Sequence, residues 1–269
     1  MWLWCVEDLF TANPIIAEWQ WAYDMGHYCF DRFYQPFHDP ADGLFRGQAT
    51  FVDIHHGLDH KGTGYPEEWS TQDCVLIKAT STNCLYVKGL EVMARISEEV
   101  GKRDEAAQWR ERAQSLRQAI RVHLRRPDGT FAYYKDREGR LAERRDALGT
   151  AFGVLMGVVT GEEAVAACRD YPVTDAGVPL FLPFFPTART YHNNTAWPFV
   201  DTFFIKALEQ SDGQARTAQN AALLARTCRG GTFHEWVDFR TKAVRGSGGQ
   251  LWTAAAFVDT CRRAGWVAL

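Results

Sequence analysis

The sequence contains no apolar run approaching the roughly 20 residues needed to cross a bilayer, so a membrane-spanning helix is not expected. A signal peptide is not expected either, since "MWLWCVEDLF" lacks a basic start, an apolar core and a small-residue cleavage site. Excess charge of one sign is missing. The 30 Lys+Arg and 33 Asp+Glu residues leave a formal net charge of -3, and no block of like charge suits a phosphate backbone, so nucleic acid is not an expected partner. No C-x-x-C pair occurs among the 7 cysteines (Cys5, Cys29, Cys74, Cys84, Cys168, Cys228 and Cys261). An odd, widely spaced set of this kind reads as reduced thiols in a cytoplasmic protein. The sequence has no G-x-x-x-x-G-K-[ST], no G-x-G-x-x-G and no G-x-S-x-G, which removes phosphate-cradling and nucleophile-elbow chemistry and leaves no cofactor to expect.

Apolar and aromatic residues are what the chain has in quantity. With 269 residues and 46% hydrophobic content it can bury a large core, on the order of 75% of the surface its unfolded form exposes. Hydrophobic periodicity divides the helical segments into two alternating kinds. Residues 13–36 carry one stripe (Ile15, Trp19, Ala22, Gly26, Cys29, Phe33), and residues 104–126 carry another (Trp109, Ala113, Leu116, Ile120, His123). Segments 162–171 and 214–227 are striped too. Between them, segments 71–100, 146–159, 195–208 and 250–258 are apolar or small around most of their circumference, as in helices with neighbours on all sides. The order outer, inner repeats four times over 1–269, read as a single domain. A featureless α-solenoid shares this alternation.

The connections are asymmetric. Turns from inner to outer segments are tight, at 101–103, 160–162 and 211–214, whereas 37–70, 127–143, 172–194 and 228–249 are long and rich in Gly, Pro, His and aromatics. In a ring of helical hairpins all four long loops emerge at one end, around one cavity. Within 127–141 a small β-hairpin is expected.

These loops hold the chemistry. In 37–70, Asp53 stands in the apolar frame Phe51-Val52-Asp53-Ile54, where desolvation would equip a carboxyl as a general acid. Asp59 is the rival acid. His55, His56 and His60 lie close by, but no H-x-E or H-E-x-x-H spacing gives them metal geometry, so no metal is expected. Trp69 closes the loop. In the last loop Glu235, followed by Trp236, Asp238 and Arg240 and by the run Gly246-Ser247-Gly248-Gly249, can deprotonate a water; a surface ion pair to Arg240 or Arg245 is the plain alternative. In 172–194, Tyr191, His192, Asn193 and Trp197 offer groups suited to sugar hydroxyls and ring faces, or else a satisfied polar network at a helix start. Asn194 or Thr195 is expected to cap the next helix, with Pro198 in its first turn. Asp201, on an otherwise apolar helix, has to be paired or face the cavity.

At these residues the sequence resembles a known family. "TYHNNTAWPFVDTFFIKAL" resembles the segment Y-H-N-G-x-x-W-P of the six-hairpin glycosidases, and "FHEWVDFRTKAVRGSGGQLWTAAAF" resembles their closing segment. "TNCLYVKGLEVMARISEEVGKRDEAAQWRERAQSLRQAI" is similar to the hairpin after the general-acid loop in the trehalase and processing α-glucosidase branch. The resemblance covers Leu44 to the C-terminus. It implies an all-α fold, an (α/α)6 toroid-type barrel of inner and outer hairpins, and an inverting glycoside hydrolase with Glu235 at the general-base position. "RGQATFVDI" looks like the acid loop of bacterial members and supports Asp53, while "GLDHKG" keeps Asp59 in contention. Trp69, Tyr191, His192, Asn193, Trp197, Trp236, Arg240 and Trp252 would bind the sugar. The chain supplies about four of six hairpins, so the barrel is expected to be N-terminally incomplete, with "WLWCVEDLF" as the tail of an earlier inner helix. An α-linked glucoside or similar carbohydrate is the expected substrate. Sugar epimerase or lyase chemistry on the same barrel, and a non-catalytic carbohydrate-binding remnant, are the alternatives.

Overall fold

The computed structural model describes residues 1–53, 64–186, 190–212, 222–223, 225 and 231–266. The α-helices are α1 (Trp2–Ala12), α2 (Trp19–Cys29), α3 (Thr71–Leu76), α4 (Thr80–Glu99), α5 (Arg103–His123), α6 (Ala147–Leu155), α7 (Gly161–Arg169), α8 (Pro198–Ser211) and α9 (Leu251–Arg263). Contacts run α4 to α6, α6 to α8 and α8 to α9, which makes these four an inner layer. Outside it, α2 and α5 pack on α4, and α7 packs on α6 and α8. The expected alternation is therefore present. In α6 every residue from Ala147 to Val154 is buried, whereas α5 buries only Ala106, Trp109, Ala113, Leu116 and Ile120. An inner helix has no solvent face, so its sequence loses its stripe. The outer helix expected over 214–227 lies almost wholly outside the described residues.

Helix α1 belongs with the inner layer. Trp4 meets the rings of Phe152 on α6 and Phe203 on α8, at 6.2 and 5.7 Å, and Glu7 pairs with Lys88 of α4 at 2.5 Å. No described helix is long and apolar enough to cross a membrane.

Two expected helices are shorter than their periodicity implied. In 13–36, regular α-helix is confined to Trp19–Cys29, preceded by a 3-10 turn at Pro14–Ile16 and followed by a π turn at Phe30–Tyr34. Ile15 and Phe33 of the expected stripe are exposed. The segment 71–100 breaks after Leu76. Ser70 and Asp73 form a capping box that starts α3, and then Ile77 turns extended so that Lys78 and Ala79 can join a strand pair.

The strands are two or three residues long and lie between the helices. They are β1 (His38–Asp39), β2 (Leu44–Phe45), β3 (Lys78–Ala79), β4 (Tyr134–Lys135), β5 (Arg145–Asp146), β6 (Phe181–Leu182), β7 (Thr195–Ala196), β8 (Trp236–Asp238) and β9 (Val244–Arg245). Pairing β1 with β2 folds the first long loop onto itself. The other pairings join one loop to the next: β3 with β4, β5 with β6, β7 with β8, while β9 completes the last sheet. The hairpin expected at 127–141 survives only as isolated bridges, Arg125 to Phe131 and Lys135 to Leu141, because β4 takes β3 as its ladder partner. All four long loops are thereby held along one rim.

Buried polar groups at the inner-helix N-termini tighten this rim. Asn83 donates to Phe45 O and Ala79 O and accepts from Phe45 N; Thr80 donates to Ala132 O; Ser81 accepts from Thr50 N at 3.2 Å. The first turn of α4 thus pins two loops at once. Lys78 holds Asp39 and Asp42 at 2.6 and 2.7 Å, and Lys135 reaches Asp42 at 2.9 Å from the second loop. Burial would raise the Asp42 carboxyl, but the two ammonium groups outweigh it and hold it at about 2.

Asp146, buried at the start of α6, accepts from Gly149 N at 2.9 Å, and burial raises its carboxyl from 3.8 to about 7. The folded state therefore favours the neutral acid. Its stabilising contribution is complete below 3.8 and is lost as pH rises through about 7, on the order of 4 kcal/mol in all. Asp146→Asn keeps a capping group without the charge. Thermal unfolding should show the variant gaining on the wild type between mildly acid and mildly alkaline pH; a difference that does not change with pH would contradict this assignment.

Candidate active site

The third and fourth loops meet at β7–β8, where Thr195 pairs with Asp238 and Ala196 with Val237. This register sets the run Tyr191–Trp197 beside Glu235 and Trp236. Tyr191 donates its hydroxyl to Glu235 Oε1 at 3.4 Å, and its ring lies 6.2 Å from that of Trp236. His192 extends the other way: its Nε2 is 3.8 Å from Asp53 Oδ2. Asp53 and Glu235 come from the first and fourth loops, yet each reaches one of two adjacent residues of the third. The Tyr191 phenol is raised to about 12, first by burial and then by the charges of Glu235 and Asp53.

Glu235 is held by backbone as well as by the phenol. Ser247 N donates to Oε2 at 3.3 Å, and Gly246, at φ +76°, passes so close that a Cβ there would lie 2.2 Å from that oxygen. Among the described residues no ion pair joins Glu235 to Arg240 or Arg245; Arg240 donates to Thr190 Oγ1 at 3.2 Å, and Arg245 pairs with Trp236 in the β8–β9 ladder. The helix after the loop holds Glu235 from below, because Thr253 Oγ1 donates to His234 O at 2.8 Å. The Gly-rich loop and the W-T-A helix are therefore two clamps on one carboxylate.

Asp53 departs from expectation in one respect. Its side chain is 56% exposed, although it sits in an apolar frame. Val52 is buried while Asp53, next to it, faces out. Phe51 adopts φ +74°, rare for a bulky residue, and is held there by stacking on Phe199 at 4.8 Å and by edge contacts with Trp197 and His192 at 4.9 and 5.8 Å. Tyr65 steadies the same loop, its hydroxyl accepting from Ala49 N at 3.0 Å and donating to Val52 O at 3.4 Å. The sequence showed Phe51 only as part of an apolar frame and Gly246 only as part of a Gly-rich run; their positive φ values and close approaches appear in the structure alone. Asp59, with His55, His56 and His60, lies outside the described residues.

Some expected sugar-binding residues occupy other positions. Trp197 is 2% exposed, and its indole N–H donates to Tyr191 O and Thr195 Oγ1, both at 3.1 Å. It forms the wall behind Tyr191 and His192 and offers no open platform. Asn193 is buried, accepting from Phe185 N at 3.0 Å and donating to Phe185 O at 2.9 Å, so both ends of its amide lock the loop. Neither Asn194 nor Thr195 caps α8; Trp197 takes the N-cap place without a side-chain bond, because Ala196 is held in the β7–β8 ladder, and Pro198 follows in the first turn. Asp201 is paired, accepting from Val178 N at 2.7 Å. Trp69 stacks on Tyr65 at 6.4 Å and leans on Tyr134 at 5.1 Å, beside the second loop. Trp252, 38% exposed, lines a groove of about 220 Å³ between α8 and α9 with Phe199, Phe203 and Lys206.

Gly246→Ala would set a methyl group against the Glu235 carboxylate and force a left-handed backbone on alanine. The expected outcome is a loss of about 1–2 kcal/mol in denaturant unfolding and a displaced Glu235 side chain in a crystal structure of the variant. A variant as stable as the wild type, with Glu235 unmoved, would contradict it.

Residues 53–253 match the family described as the mannosylglycerate hydrolase MGH1-like glycoside hydrolase domain. Among solved structures, the GH63 mannosylglycerate hydrolase of Thermus thermophilus, in its complex with Tris and D-glycerate, is similar over 95% of this chain and 76% of its own, with 16% identity and a TM-score of 0.67. The neutral trehalase of Saccharomyces cerevisiae is similar over 90% of this chain and 56% of its own, at 14% identity and a TM-score of 0.65. A sialidase matches over 93% of this chain but only 24% of its own, at 13% identity and a TM-score of 0.68. At these identities the likeness establishes the fold, an (α/α)6 barrel architecture, and the chain spans about a quarter of the sialidase and just over half of the trehalase. No curated protein matches the chain. The family match extends from Asp53 itself to the Thr253 that anchors the Glu235 loop, and on that extent the chain belongs to the MGH1-like glycoside hydrolase domain family.

Proposed function

We propose that the chain hydrolyses a glycosidic bond with inversion at the anomeric carbon. Asp53 protonates the leaving oxygen and Glu235 deprotonates the attacking water. The observation that supports this reading is the convergence of two carboxylates from distant loops on Tyr191 and His192, at 3.4 and 3.8 Å. Inversion requires room for a water between the two carboxyl groups, a separation of roughly 6.5–9.5 Å. An exposed Asp53 can reach a leaving group, and a half-buried Glu235 braced by a phenol and a backbone N–H is held in aim. Asp59 is the alternative acid.

The substrate we infer is an α-linked glucoside, mannoside or similar small carbohydrate. The mannosylglycerate hydrolase and the trehalase that share the fold support that class. Trp236, Tyr191, Arg240 and the more distant Trp69 and Trp252 are the side chains left to meet it. Cytoplasmic residence fits the six described cysteines, none of which forms a disulfide among the described residues.

The two carboxylates are told apart by leaving group. On a para-nitrophenyl α-glycoside, whose leaving group needs little protonation, Asp53→Asn should lower kcat only modestly; on the methyl glycoside the loss should be about 10²–10⁴-fold. Glu235→Gln should cost a similar factor on both, and NMR of the first-formed sugar should show the β anomer. Wild-type turnover by Glu235→Gln, or a retained anomer, would end the proposal. A silent Asp53→Asn beside a crippled Asp59→Asn would move the acid role to Asp59.

A further inference from the structure

The two carboxylates are touched by neighbouring residues of one loop, and the sugar chemistry alone asks for neither contact. Tyr191 donates to Glu235 at 3.4 Å, while His192 Nε2 stands 3.8 Å from Asp53. A phenylalanine would fill the wall where Tyr191 lies, and an apolar ring would stack on Trp197 as well as an imidazole does. The polar atoms are what the packing leaves unexplained. Their carrier is stiff: His192 is 1% exposed and stacks on Trp197 at 5.3 Å, and the Tyr191 carbonyl accepts from both the Trp197 indole and the Thr195 hydroxyl. Asn193, next in line, is locked to the Phe185 backbone.

We propose that Tyr191 and His192 are positioning residues, a single brace that fixes the distance between Glu235 and Asp53. The inference rests on the hydrolytic reading above. A hydrogen bond donated to a carboxylate fixes where its oxygens point. Glu235 faces the Tyr191 phenol, the Ser247 N–H and the Gly246 backbone. Asp53 faces the His192 imidazole, and its charge is also felt at Tyr191. The imidazole Nε2, 3.8 Å from Asp53 Oδ2, limits how far that carboxyl can swing. Because both polar groups hang from one rigid dipeptide, neither carboxylate can shift without straining the support of the other.

The test uses the full chain and two probes, the para-nitrophenyl and the methyl α-glycoside of one sugar. Tyr191→Phe should lower kcat about tenfold on both probes with KM within about twofold, because Glu235 loses a donor that aims it. His192→Phe should lower kcat about tenfold on the methyl glycoside, with little change on the nitrophenyl one, and His192→Gln, which keeps an N–H, should recover part of the loss. Thermal midpoints close to wild type show that the variants fold. Folded variants with kcat unchanged on both probes overturn the brace. Glu235→Gln separates the two levels: its loss of turnover beside wild-type kcat in the brace variants sinks this inference alone, whereas its full activity sinks the hydrolytic reading beneath it.

Discussion

Everything at the candidate site depends on three short strand pairings that tie each long loop to the next. Each ladder is only two residues long: β3 with β4, β5 with β6, and β7 with β8. Loops of this length closed independently would each bear their own entropy cost and wander. Tied in series along the N-terminal ends of the inner helices, they share that cost and form one rim. A pair of backbone hydrogen bonds contributes little by itself. Placed at the joint between two loops, it determines which side chains meet.

The inner helices α6 and α8 make the rim possible by burying most of their circumference, while α9 buries only Thr253, Ala256, Thr260 and Cys261. Buried polar groups at the ends of the inner helices bind loops. Asn83 and Ser81 on the first turn of α4 fasten the loop that carries Asp53, Thr80 fastens the loop after it, and Thr253 on α9 fastens the residue before Glu235. Asp201, in the first turn of α8, holds the third loop through Val178. The same feature recurs at three helix starts: a buried polar side chain whose partner is loop backbone. Stability and site geometry are in this sense one problem, since the groups that satisfy the helix ends also aim the carboxylates.

The site divides into an open surface and a fixed wall. Trp197, Asn193 and Thr195 have their polar atoms consumed by backbone and lie behind the site, while Tyr191, Glu235 and Asp53 face the space in front. The Y-H-N-x-x-x-W pattern therefore mixes two kinds of residue. Its Trp and Asn build the wall, its Tyr and His touch the carboxylates, and membership of the glycoside hydrolase family gives that arrangement its chemical setting.

The sequence by itself determined the layers. Period 3.6 stripes marked α5 as outer and the loss of any stripe marked α6 and α8 as inner, because burial on one side or on all sides is written directly into composition. It also determined where chemistry could lie, since long Gly- and Pro-rich connections were plain to see, and Glu235 stood out among aromatics. Tertiary structure decided the rest. The break at Ile77 that turns one expected helix into α3 and α4 comes from a strand partner more than fifty residues away, and local propensity contains no trace of it. Trp197 and Asn193 read as sugar contacts until their partners were seen, for an indole or amide has the same letters whether it faces a ligand or a carbonyl. The exposure of Asp53 likewise follows from which way Val52 turns, and that is fixed by packing among Phe51, Phe199 and Trp197. Periodicity reports how many sides of an element are buried; only the assembled loops determine which atoms meet.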